Sequence, residues 1–287
     1  MSEAIPTRVG LLGWPVGHSR SPAMHNAAFQ ALGLNWEYLL LPVAPEYVAD
    51  AVRGLRAFGF AGANVTVPHK QAVMAGLDEV TVEARAIGAV NTIVNREGWL
   101  VGHNTDALGF LRALREAGVE PRGCRAVVLG AGGAARAVVY ALLAARAQVT
   151  IANRTVGTAR RPGNAFGALF GARVLVLPLT MDLARVLVAA DLLVNTTSVG
   201  MARPGDPRPG ADPLPAGLAL RAGIAVNDLV YAPLETALLC RARAAGAQTV
   251  DGLGMLVHQG AAAFELWTGQ KAPVETMRAA AGGGSET

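Results

Sequence analysis

Short apolar runs alternate along the chain with longer stretches rich in alanine and leucine. This alternation is typical of a parallel sheet covered by helices. The apolar runs predict strands at residues 8–12, 63–67, 89–95, 125–129 and 148–152, and the longer stretches predict helices at residues 21–32, 106–118 and 254–268. The pattern therefore predicts an α/β fold.

Local signals support two of these assignments. Ser21 is predicted to be the N-cap of the first helix, with Pro22 at its first helical position and Gly33 just beyond its end. A turn at residues 95–98 predicts that the strand at 89–95 continues into a hairpin.

The alternation is interrupted near residues 103–106 and restarts at residue 125 as a strand–helix–strand unit. A chain of 287 residues has room for two domains, so we expect a domain boundary near residues 103–106. Residues 203–215 are rich in proline and glycine and are predicted to form a surface loop, and residues 282–284 are predicted to begin a frayed tail.

Composition excludes several classes of protein. With 52% hydrophobic and 16% charged residues, the chain is not disordered. The formal charge is +4 and the arginines are scattered, so no nucleic-acid partner is expected, although small anions are favoured. Cys124 and Cys240 are far apart and predict neither a disulfide framework nor a zinc site. Without a signal-peptide pattern or an apolar run of about 18 residues, a soluble cytoplasmic protein with no membrane partner is expected.

A glycine-rich turn follows the strand predicted at 125–129. Its sequence is Gly130-Ala131-Gly132-Gly133-Ala134-Ala135, and an apolar helical pattern comes next. This is the dinucleotide-binding fingerprint in its strand–turn–helix context. Gly130 permits the tight turn, Gly132 lets backbone amides approach a pyrophosphate, and Ala135 lets the helix lie against the strand. The helix N-terminus stabilises phosphate charge, so we predict dinucleotide binding.

The next strand ends in Asn153-Arg154-Thr155. Proteins that bind NAD usually carry an acidic residue near this point, which bonds the ribose hydroxyls. A carboxylate would repel the 2′-phosphate of NADP, whereas Arg154 can chelate it. The absence of the acid favours NADP, although an ordinary exposed arginine is the alternative explanation.

Lysine is rare in this chain. Of its 25 basic side chains only Lys70 and Lys271 are lysine, and the rest are arginine. Arginine cannot lose its proton in a protein, whereas lysine can be tuned to act as a general acid or base. Lys70 follows the strand at 63–67 through Pro68, at the start of a predicted helix. A solvated surface charge is the commoner role of a lone lysine, but this setting favours catalysis.

Polar residues near the first predicted elements suit a small anionic ligand. Ser19 and Ser21 place two hydroxyls at a helix N-terminus, where they favour a carboxylate. In the strand before Lys70, the side chains alternate between the two faces. One face, with Val65 and Val67, is expected to lie in the core. The other, with Asn64 and Thr66, is expected to form the wall of a polar cleft.

Two further polar positions have alternative explanations. Asn91 interrupts an apolar strand and is either a ligand-binding residue or a core asparagine bonded to the backbone. The run Asn104-Thr105-Asp106 either contributes to a site or only caps the following helix.

Taken together, these segments resemble the shikimate dehydrogenase family over nearly the whole chain. The motifs that carry the resemblance are, in chain order, Ser19-Arg20-Ser21-Pro22, residues 64–70, Gly88-Ala89-Val90-Asn91-Thr92, Asn104-Thr105-Asp106, residues 130–135, Asn153-Arg154-Thr155, Asn195-Thr196-Thr197-Ser198 and Asp251-Gly252-Leu253-Gly254-Met255. One such motif is weak evidence, whereas eight in order are specific.

The resemblance implies a reversible, NADPH-dependent reduction of 3-dehydroshikimate to shikimate, a step of aromatic amino-acid biosynthesis. It also implies two α/β domains with a cleft between them. The N-terminal substrate domain would have a mainly parallel sheet and comprise residues 1–105 and 254–287. A Rossmann-type NADP domain would comprise residues 106–253. A monomer or homodimer is expected.

The resemblance also implies roles for individual residues. Lys70 would be the acid/base, paired with Asp106. Ser19 and Ser21 would hold the substrate carboxylate, and the substrate's carboxylate or ring hydroxyls would be bonded by Thr66, Asn91, Asp106, Tyr231 and Gln259. The cofactor would be bound by Gly130, Ala131, Gly132, Gly133, Ala134, Asn153, Arg154, Thr155 and Thr158, with Leu229 and Gly252 beside the nicotinamide.

Three positions depart from the family pattern. His103 stands where aspartate is common, and Leu229 replaces a frequent methionine. Thr158 stands where many NADP-dependent members carry a second arginine, for which Arg160 or Arg161 would have to substitute.

Two alternatives remain open at this point. One is a dehydrogenase of the same fold that accepts quinate or prefers NAD. The other is a non-catalytic sensor of the nucleotide or of a cyclic hydroxy acid, which the presence of both Lys70 and Asp106 disfavours.

Overall fold

The computed structural model of the chain describes residues 5–202 and 210–282. They form two compact units, and the division falls between Gly109 and Phe110 and again between Leu256 and Val257. The first unit therefore combines the beginning and the end of the chain. Of the predicted loop at 203–215, residues 203–209 lie outside the described residues, as does the predicted tail beyond residue 282. Among the described helices, none has the length and apolar character needed to cross a membrane.

The first unit is built on a six-stranded sheet. Its elements are β1 (Thr7–Gly13), α1 (Ser21–Ala31), β2 (Trp36–Pro42), α2 (Val48–Ala57), β3 (Gly62–Val65), β4 (Glu79–Val80), α3 (Val82–Ile87), β5 (Thr92–Arg96) and β6 (Trp99–His103), followed by the first turn of α4 (Asp106–Glu116), most of α9 (Leu253–Thr268) and α10 (Val274–Gly282). The strand order is β2-β1-β3-β5-β6-β4. Pairs β1–β2, β1–β3 and β4–β6 are parallel, whereas β3–β5 and β5–β6 are antiparallel. The prediction of a mainly parallel sheet and that of a hairpin at residues 95–98 are both confirmed.

The chain around Lys70 differs from the prediction. The strand ends at Val65, and residues 67–71 form a turn before a short 3₁₀ helix at Ala72–Gly76. Alternation of side chains ends with the strand, so Val65 is buried but Val67 is 61% exposed. The expected helix at Lys70 and the expected core position of Val67 were therefore wrong.

The start of α1 also differs. Ser21 is the first helical residue and the N-cap is Arg20, whose side chain makes no capping bond. The Ser21 amide instead donates to Ser19 Oγ over 3.2 Å. The hydroxyl that satisfies this helix end thus belongs to Ser19, and the prediction of Ser21 as N-cap was wrong.

The second unit is built on a fully parallel sheet. Its elements are the rest of α4, then β7 (Arg125–Leu129), α5 (Gly133–Ala144), β8 (Gln148–Asn153), α6 (Val156–Phe170), β9 (Leu175–Pro178), α7 (Ala184–Leu187), β10 (Leu192–Asn195), β11 (Ala225–Asp228), α8 (Ala237–Ala244) and β12 (Gln248–Val250). The strand order is β12-β11-β10-β7-β8-β9. Counted from β7, this is the doubly wound dinucleotide-binding order, which reverses direction between β7 and β10. The Rossmann-type prediction is confirmed.

Candidate active site

Lys70 is an enclosed side chain in the first unit. Its Nζ lies 2.5 Å from Asp106 Oδ2, and the two side chains are 13% and 5% exposed. The Lys70 carbonyl accepts from the Val90 amide over 2.8 Å, which fixes the backbone that carries the ammonium. The surface-charge explanation of Lys70 is therefore excluded.

The turn before Lys70 is fixed by its neighbour His69. The His69 side chain is buried and its Nε2 lies 2.7 Å from the Val43 carbonyl, to which it can only donate. Its amide donates to the Thr66 carbonyl over 2.9 Å. Side-chain and backbone bonds thus hold the segment in place without regular secondary structure.

Asn91 connects the ion pair to the backbone. Its Oδ1 accepts from the Thr105 amide over 2.7 Å, which determines the orientation of the side-chain amide. Its Nδ2 therefore points the other way and donates to Asp106 Oδ1 over 2.8 Å. Because Asn91 occupies one carboxylate oxygen and Lys70 the other, the Asp106 carboxylate is held from both sides.

The strand predicted around Asn91 begins one residue later, at Thr92. The Asn91 backbone is nevertheless bonded on both sides, since its amide donates to the His103 carbonyl and its carbonyl accepts from the Val65 amide. Asn91 is buried, and it bonds side chains as well as backbone.

Asn104 caps the start of α4. Its Oδ1 accepts from the amides of Asp106 and Ala107, while its Nδ2 donates to the Ala89 carbonyl over 2.9 Å. The capping explanation holds for Asn104 alone, because Asp106 turns its carboxylate to Lys70 and Asn91 instead.

Gln259 reaches this cluster from α9. Its Oε1 lies 3.3 Å from Asn91 Nδ2. The close approach of α9 requires glycine at position 109, where a Cβ atom would lie 2.7 Å from the backbone nitrogen of Gln259. The structure thus brings together residues that are 168 positions apart in the chain.

Tyr38 and Thr92 lie behind the cluster and were not predicted as site residues, whereas their neighbours Asn64 and Thr105 were among the candidates. Tyr38 donates from its hydroxyl to Asn64 Oδ1 over 2.9 Å, and Asn64 Nδ2 donates to the Asn91 carbonyl and to Thr92 Oγ1. Thr105 Oγ1 accepts from Asn91 Nδ2. A tyrosine and a threonine in apolar strands carry no distinctive sequence signal, so only the tertiary contacts of Tyr38 and Thr92 identify them.

The remaining predicted substrate residues of this unit lie around β1 and α1. Ser19 is half-buried and Ser21 is buried. Thr66 is half-buried, and its methyl group packs so closely on Gly13 that a Cβ there would lie 2.3 Å from it. Arg20 donates to the Ala281 carbonyl over 2.9 Å and ties the serine turn to the end of α10.

His103 binds the cluster through its backbone carbonyl, which accepts from the Asn91 amide. Burial lowers the pKa of its imidazole, Arg96 lowers it further, and Glu79 opposes both. Replacement of the family's common aspartate therefore leaves the Asn91 contact intact.

The glycine-rich turn of the second unit has the predicted form. Gly130 has a φ of +108°, which favours glycine, and a Cβ there would lie 2.6 Å from Thr196 Oγ1. Apart from Gly132 itself and its two chain neighbours, no atom of residues 5–202 and 210–282 lies within 4 Å of a Cβ built on Gly132, the residue before α5. This open space beside a helix N-terminus fits the pyrophosphate of a dinucleotide. Ala131, Gly133 and Ala134 complete the turn and are half-buried, whereas Ala135 is buried against the sheet.

Asn153, Arg154, Thr155 and Thr158 lie at the carboxyl end of β8. Asn153 Nδ2 donates to the Thr155 carbonyl and to Thr158 Oγ1, which in turn donates to the same carbonyl over 2.7 Å. Thr158 thus stabilises the turn from within. Arg154 is exposed and makes no ion pair within residues 5–202 and 210–282.

Leu229, Tyr231 and Gly252 follow two neighbouring strands of the second unit. Leu229 and Tyr231 come directly after β11 and are half-buried, and Gly252 follows β12. A Cβ at Gly252 would lie 2.4 Å from the Leu229 carbonyl oxygen, so only glycine allows this contact.

The chain matches two models of one family. The model of the shikimate dehydrogenase substrate binding domain matches residues 11–93, and that of the shikimate 5′-dehydrogenase C-terminal domain matches residues 252–281. The shikimate dehydrogenase (NADP(+)) of Methanopyrus kandleri is 52% identical over 275 residues, which cover 95% of this chain and 93% of that protein.

Solved structures agree. Shikimate 5-dehydrogenase of Thermus thermophilus, in complex with NADP(H) and shikimate, superposes with a TM-score of 0.83 at 44% identity, covering 96% of this chain and 98% of that one. Quinate dehydrogenase of Corynebacterium glutamicum, in complex with NAD, gives 0.86 at 34% identity, with 96% and 98% covered. About half of the residues are identical to those of a full-length relative, and the solved structures match nearly the whole chain. The chain therefore belongs to the shikimate dehydrogenase family.

Proposed function

We propose that this protein catalyses the reversible, NADP-dependent interconversion of shikimate and 3-dehydroshikimate, as a step of aromatic amino-acid biosynthesis. The observation that carries the proposal is the enclosed Lys70–Asp106 pair, with Nζ 2.5 Å from the carboxylate. A lysine in this setting can give a proton to a bound ketone or, in its neutral form, take one from a bound alcohol, which arginine cannot do.

In this proposal Lys70 is the acid/base. During reduction the carbonyl oxygen of the substrate gains negative charge, and the Lys70 ammonium stabilises that charge and delivers the proton. Asp106 orients Lys70, and Asn91 orients Asp106. When bound, the nicotinamide supplies or accepts the hydride.

The substrate is proposed to bind through the polar residues already described. Ser19 and Ser21 hold its carboxylate at the beginning of α1, where helix amides favour an anion. Hydrogen bonds to its carboxylate or ring hydroxyls are assigned to Thr66, Asn91, Asp106, Tyr231 and Gln259.

The cofactor is proposed to bind to the second unit. The turn at residues 130–134 receives the pyrophosphate, for which the open side of Gly132 leaves room. Arg154 binds the 2′-phosphate together with Asn153, Thr155 and Thr158. Leu229 and Gly252 lie beside the nicotinamide. The substrate domain is proposed to comprise residues 1–105 and 254–287, and the NADP domain residues 106–253.

The proposal also covers location and assembly. The protein is proposed to act in the cytoplasm as a monomer or homodimer, on small molecules and without nucleic acid. The scattered arginines support the last point.

A second candidate is the related activity on quinate, or with NAD. Two observations favour it over other rivals: the structural likeness to a quinate dehydrogenase that binds NAD, and the use of Thr158 Oγ1 within its own turn, where a second arginine would bind phosphate.

A single assay tests both candidates. Purified protein is mixed with shikimate or quinate and with NADP or NAD, and the appearance of reduced nicotinamide is followed by absorbance. The proposal expects the highest kcat/KM for shikimate with NADP. A higher kcat/KM for quinate or NAD would favour the second candidate, and no reduction with any pair would overturn both.

A further inference from the structure

Asp228 is a fully buried carboxylate in the second unit, and the proposed mechanism does not use it. It is the last residue of β11, at the carboxyl edge of the parallel sheet, and its side chain is 0% exposed. Burying a carboxylate costs free energy unless donors surround it. The hydrogen bonds that Asp228 makes therefore indicate which parts of the structure it holds in place.

One Asp228 oxygen joins two loops. Its Oδ1 accepts from Asn195 Nδ2 over 2.9 Å and from the Val230 amide over 3.1 Å. Asn195 is the last residue of β10, directly opposite Asp228 in the sheet register. The loops that follow β10 and β11 are thus fastened to one atom.

The loop after β10 contacts the glycine-rich turn. Asn195 Oδ1 accepts from the amide and the hydroxyl of Thr197. Thr196 donates from its hydroxyl to the Leu129 carbonyl over 2.6 Å, and both threonines pack where a Cβ of Gly130 would stand. Asp228 therefore supports, through Asn195, the wall against which the Gly130 turn rests.

The loop after β11 packs against Gly252. The Leu229 amide donates to the Asn195 carbonyl over 3.0 Å. The carbonyl oxygens of Leu229 and Val230 lie so close to Gly252 that a Cβ there would clash with both. The same carboxylate thus supports the second segment assigned to the cofactor.

The other oxygen, Asp228 Oδ2, binds the far end of the loop after β11. It accepts from Thr236 Oγ1 over 2.7 Å, and Thr236 caps α8. Burial raises the pKa of Asp228 to about 6, while its bonds to Thr236, Val230 and Asn195 act in the opposite direction. Near neutral pH and above, the carboxylate form accepts at both oxygens.

We infer that Asp228 is a positioning residue for the dinucleotide, which joins the loops after β10 and β11 so that the Gly130 turn and the Leu229–Gly252 contact are held together. The inference rests on the proposed function. It assigns Asp228 no contact with the cofactor and no part in proton transfer.

The test compares Asp228→Ala with Asp191→Ala at pH 8. Asp191 is the matched control because it precedes β10 at the opposite, amino edge of the same sheet and pairs with Arg125 and Arg221. The dissociation constant of NADP is measured by titration calorimetry without shikimate, and folding is followed by thermal unfolding.

Asp228→Ala should weaken NADP binding about tenfold, as expected for loss of one or two buried hydrogen bonds that order the site. Asp191→Ala should leave it within about twofold, although both variants lose thermal stability. Asp228→Asn should restore most of the affinity, because its amide oxygen can accept from Asn195 and Val230 while its amino group faces Thr236. In turnover, the KM for NADP should rise more than kcat falls.

If Asp228→Ala does not fold, Thr197→Val provides the test. Thr197 is half-buried, and loss of its hydroxyl should weaken NADP binding about threefold. Unchanged NADP affinity in the folded Asp228 variant, or in Thr197→Val if that variant is used, would overturn the inference. So would equal weakening by Asp191→Ala. A wild-type protein that binds NADP but does not oxidise shikimate would overturn the proposed reaction only, since the binding constants of the variants would still decide the role of Asp228.

Discussion

The first unit and the second unit hold their proposed functional groups in different ways. In the first, Lys70, Asn91 and Asp106 are enclosed side chains that bind one another. In the second, the proposed cofactor residues are a backbone turn with open space at Gly132 and an exposed Arg154. The sheets differ accordingly, since the first includes antiparallel strands and the second is fully parallel.

This difference has an energetic consequence. Removing one partner of a buried polar pair leaves the other without a hydrogen bond or a counter-charge, which destabilises the fold as well as the site. An exposed side chain at a strand end can be removed at little cost to folding. We therefore expect stability and activity to change together at the Lys70 cluster of the first unit and separately at the exposed Arg154 of the second.

The largest expected effect is on turnover. Lys70→Arg and Lys70→Ala should lower kcat by about 10²- to 10⁴-fold, the usual range for loss of a general acid/base. NADP affinity, measured by calorimetry, should be unchanged because the cofactor is proposed to bind the other unit. Lys271→Arg is the control, as Lys271 is exposed. Turnover within a few fold of wild type in Lys70→Arg would remove Lys70 from the mechanism.

The next effect compares two asparagines. Asn91→Ala leaves the Thr105 amide and one Asp106 oxygen without their partner, and should lower the free energy of unfolding by about 3 kcal/mol. Asn153→Ala in the second unit removes bonds at the surface and should cost about 1 kcal/mol or less. Denaturant unfolding measures both, and equal losses would contradict the proposed difference between the units.

Between pH 6 and pH 4, acid should weaken the first unit and not the second. Burial lowers the pKa of His25, which stacks on Tyr38, to about 3. The unfolded chain takes up this proton below about pH 6.5 and the folded chain does not, so stability falls by roughly 1.4 kcal/mol per pH unit between those values. For Asp228 the effect of acid on stability has the opposite sign. Its pKa is raised to about 6 in the folded state, so the folded chain binds the proton at a higher pH than the unfolded chain and gains stability as the pH falls.

Tryptophan fluorescence can report this acid effect, because Trp14, Trp36, Trp99 and Trp267 all lie in the first unit. The unfolding midpoint of the first unit should decline between pH 6 and pH 4. His25→Leu should reduce the slope of this decline with pH. An identical slope in wild type and variant would exclude His25 as the cause.

The smallest effect concerns cofactor choice. Arg154→Ala should raise the dissociation constant of NADP about tenfold, by loss of a charge-assisted bond to phosphate. The dissociation constant of NAD and the melting temperature should stay the same. Arg173→Ala, another exposed arginine of the unit, is the control. If NADP affinity survives in Arg154→Ala, then Arg160 or Arg161 becomes the stronger candidate for the 2′-phosphate.

The sequence alone was a good guide to the second unit. Its fingerprint depends on consecutive residues, since a strand, a turn with glycine at positions 130 and 132, and a helix are all encoded locally. The structure confirms each of these elements. Lys70 was also identified from the sequence, because its chemistry is distinctive among so many arginines.

Local patterns were a poorer guide to the first unit. The strand before Lys70 stops at Val65 and Lys70 lies in a turn instead of a helix, because the His69 side chain and backbone bonds to distant residues hold that segment. Ser19, not Ser21, satisfies the start of α1. Tyr38, Asn64 and Thr92 are joined to one another by bonds between residues far apart in the chain.

By itself, then, the sequence determined the α/β class, the family and the residue types available for chemistry, because strand and helix periods, glycine turns and capping signals act between near neighbours. Only the tertiary structure decided that Asn91 orients Asp106, that Gln259 reaches them past Gly109, and that the buried Asp228 joins two loops. These are contacts between residues far apart in the chain, and a hydrogen bond depends on distance and direction in space, which local sequence does not specify.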